Sequence, residues 1–263
     1  MNLELFLANK GAPRLVFASG AGLSKESGLT TFRDADEEGL WDKFSIDEIC
    51  NIATFEINYQ KVHAFYNQMR AGLANVEPNI AHYMIAEMQK EYGDDRVIHI
   101  TANVDDLCER AGGTAMHVHG KLTEIVEPYS TNTEQYSVRD IGYEPHVPTP
   151  GIISKPNIVM FGEGFWFTEG KRKQIYDDLY KVLDNLTDRD TVIVIGSSDT
   201  VIPWSVYAGL ATPAQTLNVN PEPHDNDDYF NANIYMSITE CITPVQEIIA
   251  ERMKWQHFDG LEY

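Results

Sequence analysis

Short apolar runs alternate with helix-like segments along this chain, and the alternation restricts the fold more than any other feature. Residues 192–195 are all apolar and are followed by Gly196, a pattern typical of a strand buried in a parallel sheet. Strands that alternate with helices predict an α/β fold in which helices cover both faces of a parallel sheet. The predicted strands are 15–18, 97–101, 115–119, 157–161, 191–195 and 215–219.

Two stretches interrupt this alternation. Residues 36–92 have helical periodicity, which predicts an inserted helical lobe. Residues 124–156 contain many prolines and no clear periodicity, which predicts a long loop or a reduced lobe. We therefore expect one domain, with a large lobe from 1–35, 93–123 and 157–263 and a smaller, mainly helical lobe from 36–92 and 124–156.

Charge and cysteine content exclude several classes of function. The net charge is −20 and the isoelectric point is about 4.6, so nucleic acid would be repelled. The three cysteines are far apart and form no Cys-x-x-Cys pair, which indicates neither a disulfide framework nor a thiolate metal site. With no signal-like N-terminus and no bilayer-length apolar run, we expect a soluble cytoplasmic protein without membrane contact.

A glycine-rich turn follows the first predicted strand. The order strand, Gly20-Ala21-Gly22, helix is a phosphate-binding arrangement, because glycines allow close backbone approach and a helix N-terminus offers N–H groups. The turn alone is equally compatible with an ordinary strand-to-helix connection. Downstream, Arg33 suits a pyrophosphate and Phe32 can shield a reactive sugar from water. The alternatives are an ion pair for Arg33 and a core position for Phe32.

Polar groups cluster between residues 99 and 120. Asn103 and Asp105 follow one predicted strand, and His117 and His119 end the next. Function in open α/β sheets lies at the carboxyl ends of strands, so these side chains are candidates for one site.

The chain resembles the sirtuins, the NAD-dependent protein lysine deacylases. The resemblance implies a Rossmann-type large lobe, a smaller lobe built from two insertions, and NAD in the cleft between them. The matching strings follow the family's order along most of the chain: Gly20-Ala21-Gly22-Leu23-Ser24, Phe32-Arg33, Gly39-Leu40-Trp41, Thr101-Ala102-Asn103-Val104-Asp105, His119-Gly120, Phe161-Gly162-Glu163, Gly196-Ser197-Ser198 and Leu217-Asn218.

The resemblance also implies roles in binding NAD. The pyrophosphate would contact Gly20, Ala21, Gly22 and Arg33, and the nicotinamide ribose would contact Phe32 and Asn103. Asp105 would take the nicotinamide carboxamide. The remaining implied contacts are Gly196 and Ser197 at the phosphate and ribose pocket, Asn218 and Val219 at the adenosine ribose, and Thr239 and Ile242 near the adenine.

His119 would be the general base, and Asn103 would assist it. The resemblance implies that the acyl oxygen of a modified lysine attacks the ribose, nicotinamide leaves, and His119 helps a ribose hydroxyl complete the transfer. Lysine and O-acyl-ADP-ribose are then released. Imidazole suits this role because it accepts a proton near neutral pH. We interpret His117 as a packed structural histidine.

The acyl-lysine substrate would bind at a second set of residues. The resemblance implies a peptide-pairing edge at Val159, Phe161, Gly162 and Glu163, where a peptide adds as a strand. Tyr66 fits the tyrosine of a Tyr-x-x-Arg segment found in deacylases for acidic acyl groups. The arginine position holds Met69 and Arg70 is one residue late, and Met69 suits an apolar acyl pocket. The alternative is that Tyr66 and Met69 belong to the core of the small lobe.

Two departures from the family pattern bear on function. Residues 121–160 contain no cysteine and one histidine, His146, so we expect a variant that lacks the four-cysteine zinc module and binds no metal. The usual glutamine before Asn103 is Ala102, which removes an amide from the ribose region.

Three functions are therefore compatible with the sequence. The first is NAD-dependent removal of acetyl or similar acyl groups from protein lysine. The second is NAD hydrolysis or mono-ADP-ribosyl transfer, suggested by Ala102 and the missing zinc module. The third is a non-catalytic sensor of NAD or ADP-ribose, against which the presence of His119 argues.

Overall fold

The computed structural model describes residues 1–29, 45–129, 137–163, 170–210 and 213–254. The strands in these residues are β1 (Leu15–Ser19), β2 (Val97–Thr101), β3 (Met116–His117), β4 (Gly120–Val126), β5 (Val138–Asp140), β6 (Lys155–Ile158), β7 (Thr191–Ile195), β8 (Gln215–Asn220) and β9 (Ala232–Tyr235).

The helices lie between these strands. They are α1 (Leu3–Ala8), α2 (Gly22–Lys25), α3 (Ile46–Ile49), α4 (Ile52–Phe55), α5 (Tyr59–Leu73), α6 (Ile80–Tyr92), α7 (Leu107–Arg110), α8 (Gly170–Asp184) and α9 (Ile242–Arg252). A π-helical segment (Ser205–Leu210) and a short 3₁₀ turn (Asp227–Tyr229) complete the helical structure of the described ranges.

Six strands form one parallel sheet in the order β3-β2-β1-β7-β8-β9. The chain builds the sheet outward in one direction from β1 and in the other direction from β7. The strand order therefore reverses between β1 and β7, and crevices for ligands form at such reversals, beyond the carboxyl ends of the strands.

Helices cover both faces of this sheet, as the sequence predicted. Leu15 and Phe17 of β1 pack in one core cluster with residues of α6 and α9. Val16 and Ala18 pack in another cluster with residues of α1 and α8. Successive strand residues point to opposite faces, so β1 is buried on both sides, and its first four residues are all apolar.

A second, antiparallel sheet has the order β5-β4-β6 and packs with α3, α4 and α5. One strand prediction is wrong in its sheet: the run predicted at 157–161 forms β6, which pairs with β4 in this antiparallel sheet and is not part of the parallel sheet. Helix α6 lies within the stretch predicted as the helical lobe, but its buried residues pack in the core of the large sheet. The predicted lobe boundaries at 123 and 157 fall inside β4 and β6.

Among the described residues, no helix combines the length and the apolar character that crossing a membrane requires.

A buried ion pair ties the N-terminal segment to the loop before β7. The Arg14 guanidinium lies 2.8 Å from Asp190 Oδ2 and also donates to the carbonyls of Phe6 and Asn185. Both ionic side chains are almost fully buried. Burial opposes ionisation of Asp190, yet the hydrogen bonds from Arg14 and from the Thr187 N–H lower the pKa of the carboxyl.

We expect Asp190→Asn to lower the free energy of unfolding by about 3 kcal/mol, because the Arg14 charge then stays buried without its partner. Urea denaturation measures the loss. The matched control is Asp188→Asn, since Asp188 is exposed two residues away and its replacement should change stability little. Equal stability of the two variants would contradict the role of the pair.

Candidate active site

The carboxyl ends of four neighbouring strands meet at one edge of the parallel sheet. Ser19 of β1 is in register with Thr101 of β2 and Ile195 of β7, and Ile195 is in register with Val219 of β8. The residues that follow these positions are therefore neighbours. The glycine-rich turn, the Asn103 segment and the Gly196 turn therefore meet at this edge.

Two glycine turns touch through their backbones at this edge. The Gly22 N–H donates to the Gly196 carbonyl at 2.7 Å, and a Cβ atom on Gly22 would lie 2.6 Å from that oxygen. A Cβ on Gly20 would lie 2.9 Å from Ser197 Cα. Gly196 has a φ of +63° and no room for a Cβ, because Leu23 N would be 2.3 Å away. Glycine is therefore required on both sides of the contact.

The N–H groups of the first turn of α2 are used within this contact. Gly22, Leu23 and Ser24 donate to the carbonyls of Gly196, Gly20 and Ala21. The sequence interpretation gave such N–H groups to a phosphate, whereas here they fix the shape of the turn. A phosphate-binding role for Gly20, Ala21 and Gly22 stays a prediction that rests on the side-chain-free surface of the turn.

Ser24 is the centre of a buried hydrogen-bond network. Its Oγ donates to Asp105 Oδ2 at 2.8 Å, accepts from Asn103 Nδ2 at 3.1 Å and lies 3.3 Å from His82 Nε2. Burial raises the pKa of Asp105, although the hydrogen bonds from Ser24 and the Leu107 N–H oppose the change. Burial also lowers the pKa of His82 to about 4. The network holds Asn103 and Asp105 side by side.

Sequence reasoning assigned no role to Ser24 or His82. Ser24 lies within a matched string, so its position was a usable signal. His82 also caps its own helix through Asn79, and nothing local in the sequence distinguishes this histidine from one that only ends a helix.

A second series of hydrogen bonds fixes the backbone of Asn103 to β1 and β2. The Asn103 N–H donates to Thr101 Oγ1 at 3.0 Å, which in turn accepts from Ser19 Oγ at 2.8 Å. His99 Nε2 lies 2.7 Å from Ser19 Oγ. His99 is fully buried, and burial lowers its pKa to about 3, so the ring is neutral at physiological pH. These bonds fix the backbone at the carboxyl end of β2.

The two histidines of the His-x-His pair have different surroundings. His119 Nδ1 donates to the Ala102 carbonyl at 3.3 Å, which leaves the basic lone pair on Nε2. His117 donates from Nδ1 to the Asn103 carbonyl at 2.9 Å, and its Nε2 lies 2.9 Å from Glu109 Oε1. Burial opposes ionisation of Glu109, but His117 and Lys121 lower its pKa to about 2. His117 is thus held by hydrogen bonds to a carbonyl and a carboxylate, in line with its interpretation as a packed histidine.

The proposed peptide-pairing edge runs directly beside His119. The Val159 N–H donates to the His119 carbonyl at 3.0 Å. Phe161 is 55% exposed, and its backbone N–H and C=O bond Cys50 O at 2.7 Å and Ile52 N at 3.0 Å. Gly162 has a φ of +82° in the turn that follows.

Two predicted substrate residues are buried under this edge. Glu163 is 1% exposed, pairs with Lys155 at 3.1 Å and accepts from the Met160 N–H at 2.7 Å. Tyr66 is 1% exposed, and its hydroxyl lies 3.1 Å from Cys50 Sγ. Burial raises the pKa of Tyr66. Both side chains are thus buried and contact residues that hold the edge in place.

The predicted adenosine contacts are arranged differently from the sequence interpretation. Asn218 lies inside β8, and its amide bonds Asp227 Oδ1 and Asn220 Nδ2, both at 2.8 Å. The Val219 side chain is buried, while its carbonyl accepts from the Gly196 N–H. Asn220 ends the strand and is the amide closest to the loops of this edge along β8. It is a site candidate that the sequence analysis missed.

Other predicted residues lie at the periphery or outside the described ranges. The Thr239 N–H donates to Glu26 Oε2 at 3.1 Å, and Ile242 begins α9 and is 8% exposed. Phe32, Arg33 and the string at 39–41 lie outside the described residues.

Residues 121–160 do not fit a tetrahedral zinc site. They contain no cysteine, and the Nε2 atom of His146 is 2.7 Å from Ser154 Oγ. Within the described ranges, no three histidine, cysteine or acidic side chains converge in a way that could hold a metal ion.

We expect Gly22→Ala to lower the free energy of unfolding by about 1–3 kcal/mol, because the new Cβ would force the two glycine turns apart. If half of that strain acts on the two glycine turns at 20–22 and 196, which we call the glycine cradle, the Kd for ADP-ribose rises about two- to tenfold. Calorimetric titration measures this. Gly11→Ala is the matched control, since a Cβ there meets nothing within 4 Å. Unchanged affinity in Gly22→Ala would contradict the assignment of the cradle.

The buried histidines should make the fold sensitive to acid. The pKa values of His63 and His82 are about 4 and that of His99 is about 3, all below the value of about 6.5 in an unfolded chain. The unfolded state therefore binds more protons, and stability is complete above pH 6.5 and falls as the pH drops toward 4. We expect a loss of about 2 kcal/mol per histidine by pH 5. Urea denaturation at several pH values tests this, and His82→Gln should show a shallower dependence.

Comparison with known proteins agrees with this geometry. The sequence model of the Sir2 family matches residues 20–203. An NAD-dependent protein deacylase of Helicobacter hepaticus is 34% identical over 261 residues, covering 89% of this chain and 96% of that protein. An NAD-dependent protein deacylase of Helicobacter pylori is 43% identical over 210 residues, covering 79% of this chain and 84% of that protein.

Solved structures agree in fold. A Sir2 homolog in complex with NAD has a TM-score of 0.76 at 24% identity, over 96% of this chain and 94% of that chain. The likeness extends over both sheets, and the family match includes the glycine turn, the His-x-His pair and the Gly196 turn. This chain belongs to the Sir2 family.

Proposed function

We propose that this protein removes acyl groups from protein lysine in an NAD-dependent reaction that releases nicotinamide and O-acyl-ADP-ribose. One observation carries the proposal: the ring of His119 is oriented by the Ala102 carbonyl while the carbonyl of the same residue bonds Val159. This arrangement supports a role for His119 as a general base between the glycine turns and the edge at 159–163. Relatives named NAD-dependent protein deacylase support the same activity.

The residues at the strand ends fit NAD. The glycine cradle would receive the pyrophosphate, and Ser197 borders it. Asn103 and Asp105 are held together by Ser24, so an amide and a carboxyl are available to a ribose and a carboxamide. When bound, NAD supplies the ADP-ribosyl group that accepts the acyl group as nicotinamide leaves.

His119 acts as the general base in this proposal. Its Nδ1 proton is bound to the Ala102 carbonyl, so Nε2 accepts the proton of a ribose hydroxyl. Asn103 orients the ribose or a water beside it, and its backbone is fixed by Thr101. Asp105 is buried with a raised pKa, so a hydrogen bond from a carboxamide would stabilise its ionised form.

The substrate is an acyl-lysine protein or peptide that binds along residues 159–163. The N–H groups of Val159, Met160 and Phe161 and the Phe161 carbonyl already bond other groups of the protein, so a peptide would pair with the remaining backbone groups of this edge. Backbone pairing gives affinity with little dependence on side chains. The exposed ring of Phe161 adds apolar contact beside the entering chain.

NAD hydrolysis or ADP-ribosyl transfer is the second candidate function. It is favoured by Ala102, whose methyl group packs against the apolar core where the family places an amide. An acceptor other than the acyl group would then find more room near the ribose.

We expect nicotinamide release to depend on an acetyl-lysine peptide and the peptide to lose its acetyl mass. Mass spectrometry of peptide and protein measures both. Release without peptide, or a gain of ADP-ribose mass, would favour the second candidate, and no turnover under any condition would contradict both activities.

His119→Ala should slow deacylation by about 10²–10⁴-fold, because a positioned base contributes this much. Calorimetric titration with ADP-ribose should show unchanged binding and serves as the control for folding. Deacylation at the unsubstituted rate in this variant would refute the base assignment.

A further inference from the structure

One face of α5 binds the irregular segment that leads into β6. Tyr59, His63 and Asn67 follow each other at intervals of four residues, so their side chains share a face of the helix. Together with His146 and Ser154 they form a cluster of polar side chains at the start of β6. We call Tyr59, His63, His146 and Ser154 the junction.

The junction uses every polar group of Ser154. The Ser154 N–H donates to Tyr59 Oη at 3.1 Å, and the Ser154 carbonyl accepts from His63 Nε2 at 3.1 Å. Ser154 Oγ lies 2.9 Å from Tyr59 Oη and 2.7 Å from His146 Nε2. Ser154 is fully buried, so each of these bonds replaces one that water would otherwise make.

Asn67 extends the same contact to the other end of the segment. Its amide donates to the His146 carbonyl at 2.9 Å and accepts from the His146 N–H at 2.8 Å. The two histidine rings are 5.1 Å apart, and both residues are at least 95% buried. A stretch of chain with little regular structure is thus fixed to a long helix by side chains.

The junction is connected to the peptide-pairing edge. Lys155 follows Ser154 directly, and its ion pair with Glu163 is buried on both sides. Glu163 in turn accepts from the Met160 N–H at 2.7 Å and from Tyr129 Oη at 3.2 Å. The next residue before Met160 is Val159, which bonds the His119 carbonyl. A displacement of Ser154 would move this whole series of contacts.

We propose that the junction sets the position of the peptide-pairing edge, and that His63 is a positioning residue for the acyl-lysine peptide. The proposal rests on the deacylase function given above. It predicts that loss of the junction weakens peptide binding while nucleotide binding at the glycine cradle is unaffected.

The charge state of the histidines links the junction to pH. Burial lowers the pKa values of both His63, to about 4, and His146. Arg70 disfavours a proton on either ring, Arg139 disfavours one on His146, and Glu127 favours one on both. Within the part of the chain that the structure describes, His63 Nδ1 has no hydrogen-bond acceptor, so a second proton there would be buried without a partner.

The test compares His63→Phe with His63→Gln. Phenylalanine keeps a ring but removes the donor to Ser154, whereas glutamine keeps an N–H donor and cannot titrate. Fluorescence polarisation with a labelled acetyl-lysine peptide measures peptide Kd, and calorimetric titration measures ADP-ribose Kd. Tyr83→Phe, at an exposed position on α6, is the control for loss of a tyrosine hydroxyl.

At pH 7.5 we expect His63→Phe to raise the peptide Kd about tenfold, the size expected when a buried carbonyl loses its donor. The ADP-ribose Kd should change less than about twofold, since no hydrogen bond among the described residues joins the glycine cradle to the junction. His63→Gln should bind peptide nearly as well as the unsubstituted protein. An equal loss of both affinities, or no loss of peptide affinity, would overturn the proposal.

At pH 5.5 the unsubstituted protein should lose peptide affinity by up to about tenfold per histidine, because protonation favours the released segment. His63→Gln should lose less peptide affinity at this pH, because glutamine cannot be protonated. If His63→Phe does not fold, Tyr59→Phe replaces it, because this change removes the acceptor for the Ser154 N–H. Tyr59→Phe is then expected to raise the peptide Kd while leaving the ADP-ribose Kd nearly unchanged, whereas Tyr83→Phe should change neither.

Failure of the proposed function gives a different pattern. An unsubstituted protein that binds no acetyl-lysine peptide and shows no peptide-dependent nicotinamide release contradicts the deacylase assignment itself. An active protein whose peptide Kd is insensitive to His63→Phe and Tyr59→Phe contradicts the junction alone.

Discussion

The backbone contact between Gly22 and Gly196 is the constraint on which the site depends. It joins the turns that follow β1 and β7, the two strands where the order of the sheet reverses. Because neither turn has room for a Cβ at Gly22 or Gly196, the carboxyl ends of these strands stay close. The Ser24 network begins in the same turn, so the placement of Asn103 and Asp105 also follows from this contact.

Much of the fold was predictable because it depends on local pattern. The runs at 97–101 and 191–195 are buried on both faces, and their content of valine and isoleucine marked them at the correct residues. Strand β9 was missed because it is a short edge strand with a half-polar sequence, Ala-Asn-Ile-Tyr, and its burial is partial. The placement of β6 could not be read from its own sequence, since a strand of this composition suits either sheet and its partner β4 was not predicted.

Candidate site residues that directly follow strands could be predicted from the sequence. Those whose place in the site depends on contacts with distant parts of the chain could not. Asn103, Asp105 and His119 were identified from their positions in the chain, and their convergence follows from the parallel register. His82 and Asn220 were missed. His82 contacts Ser24 from α6, a helix far from the other site residues in the sequence. Asn220 was missed because Asn218, two residues earlier in the same strand, was predicted in its place. Tyr66 and Glu163 match the family strings, but only the structure reveals that they are buried behind the edge.

His119 takes part in two separate contacts: its ring is oriented by the Ala102 carbonyl, while its own carbonyl accepts from the Val159 N–H. Replacing the ring removes the chemistry but leaves the carbonyl in place. A protein altered only at this ring is therefore expected to keep its substrates bound without converting them. Such a protein would serve as bait for isolating the acylated proteins that the enzyme meets in the cell.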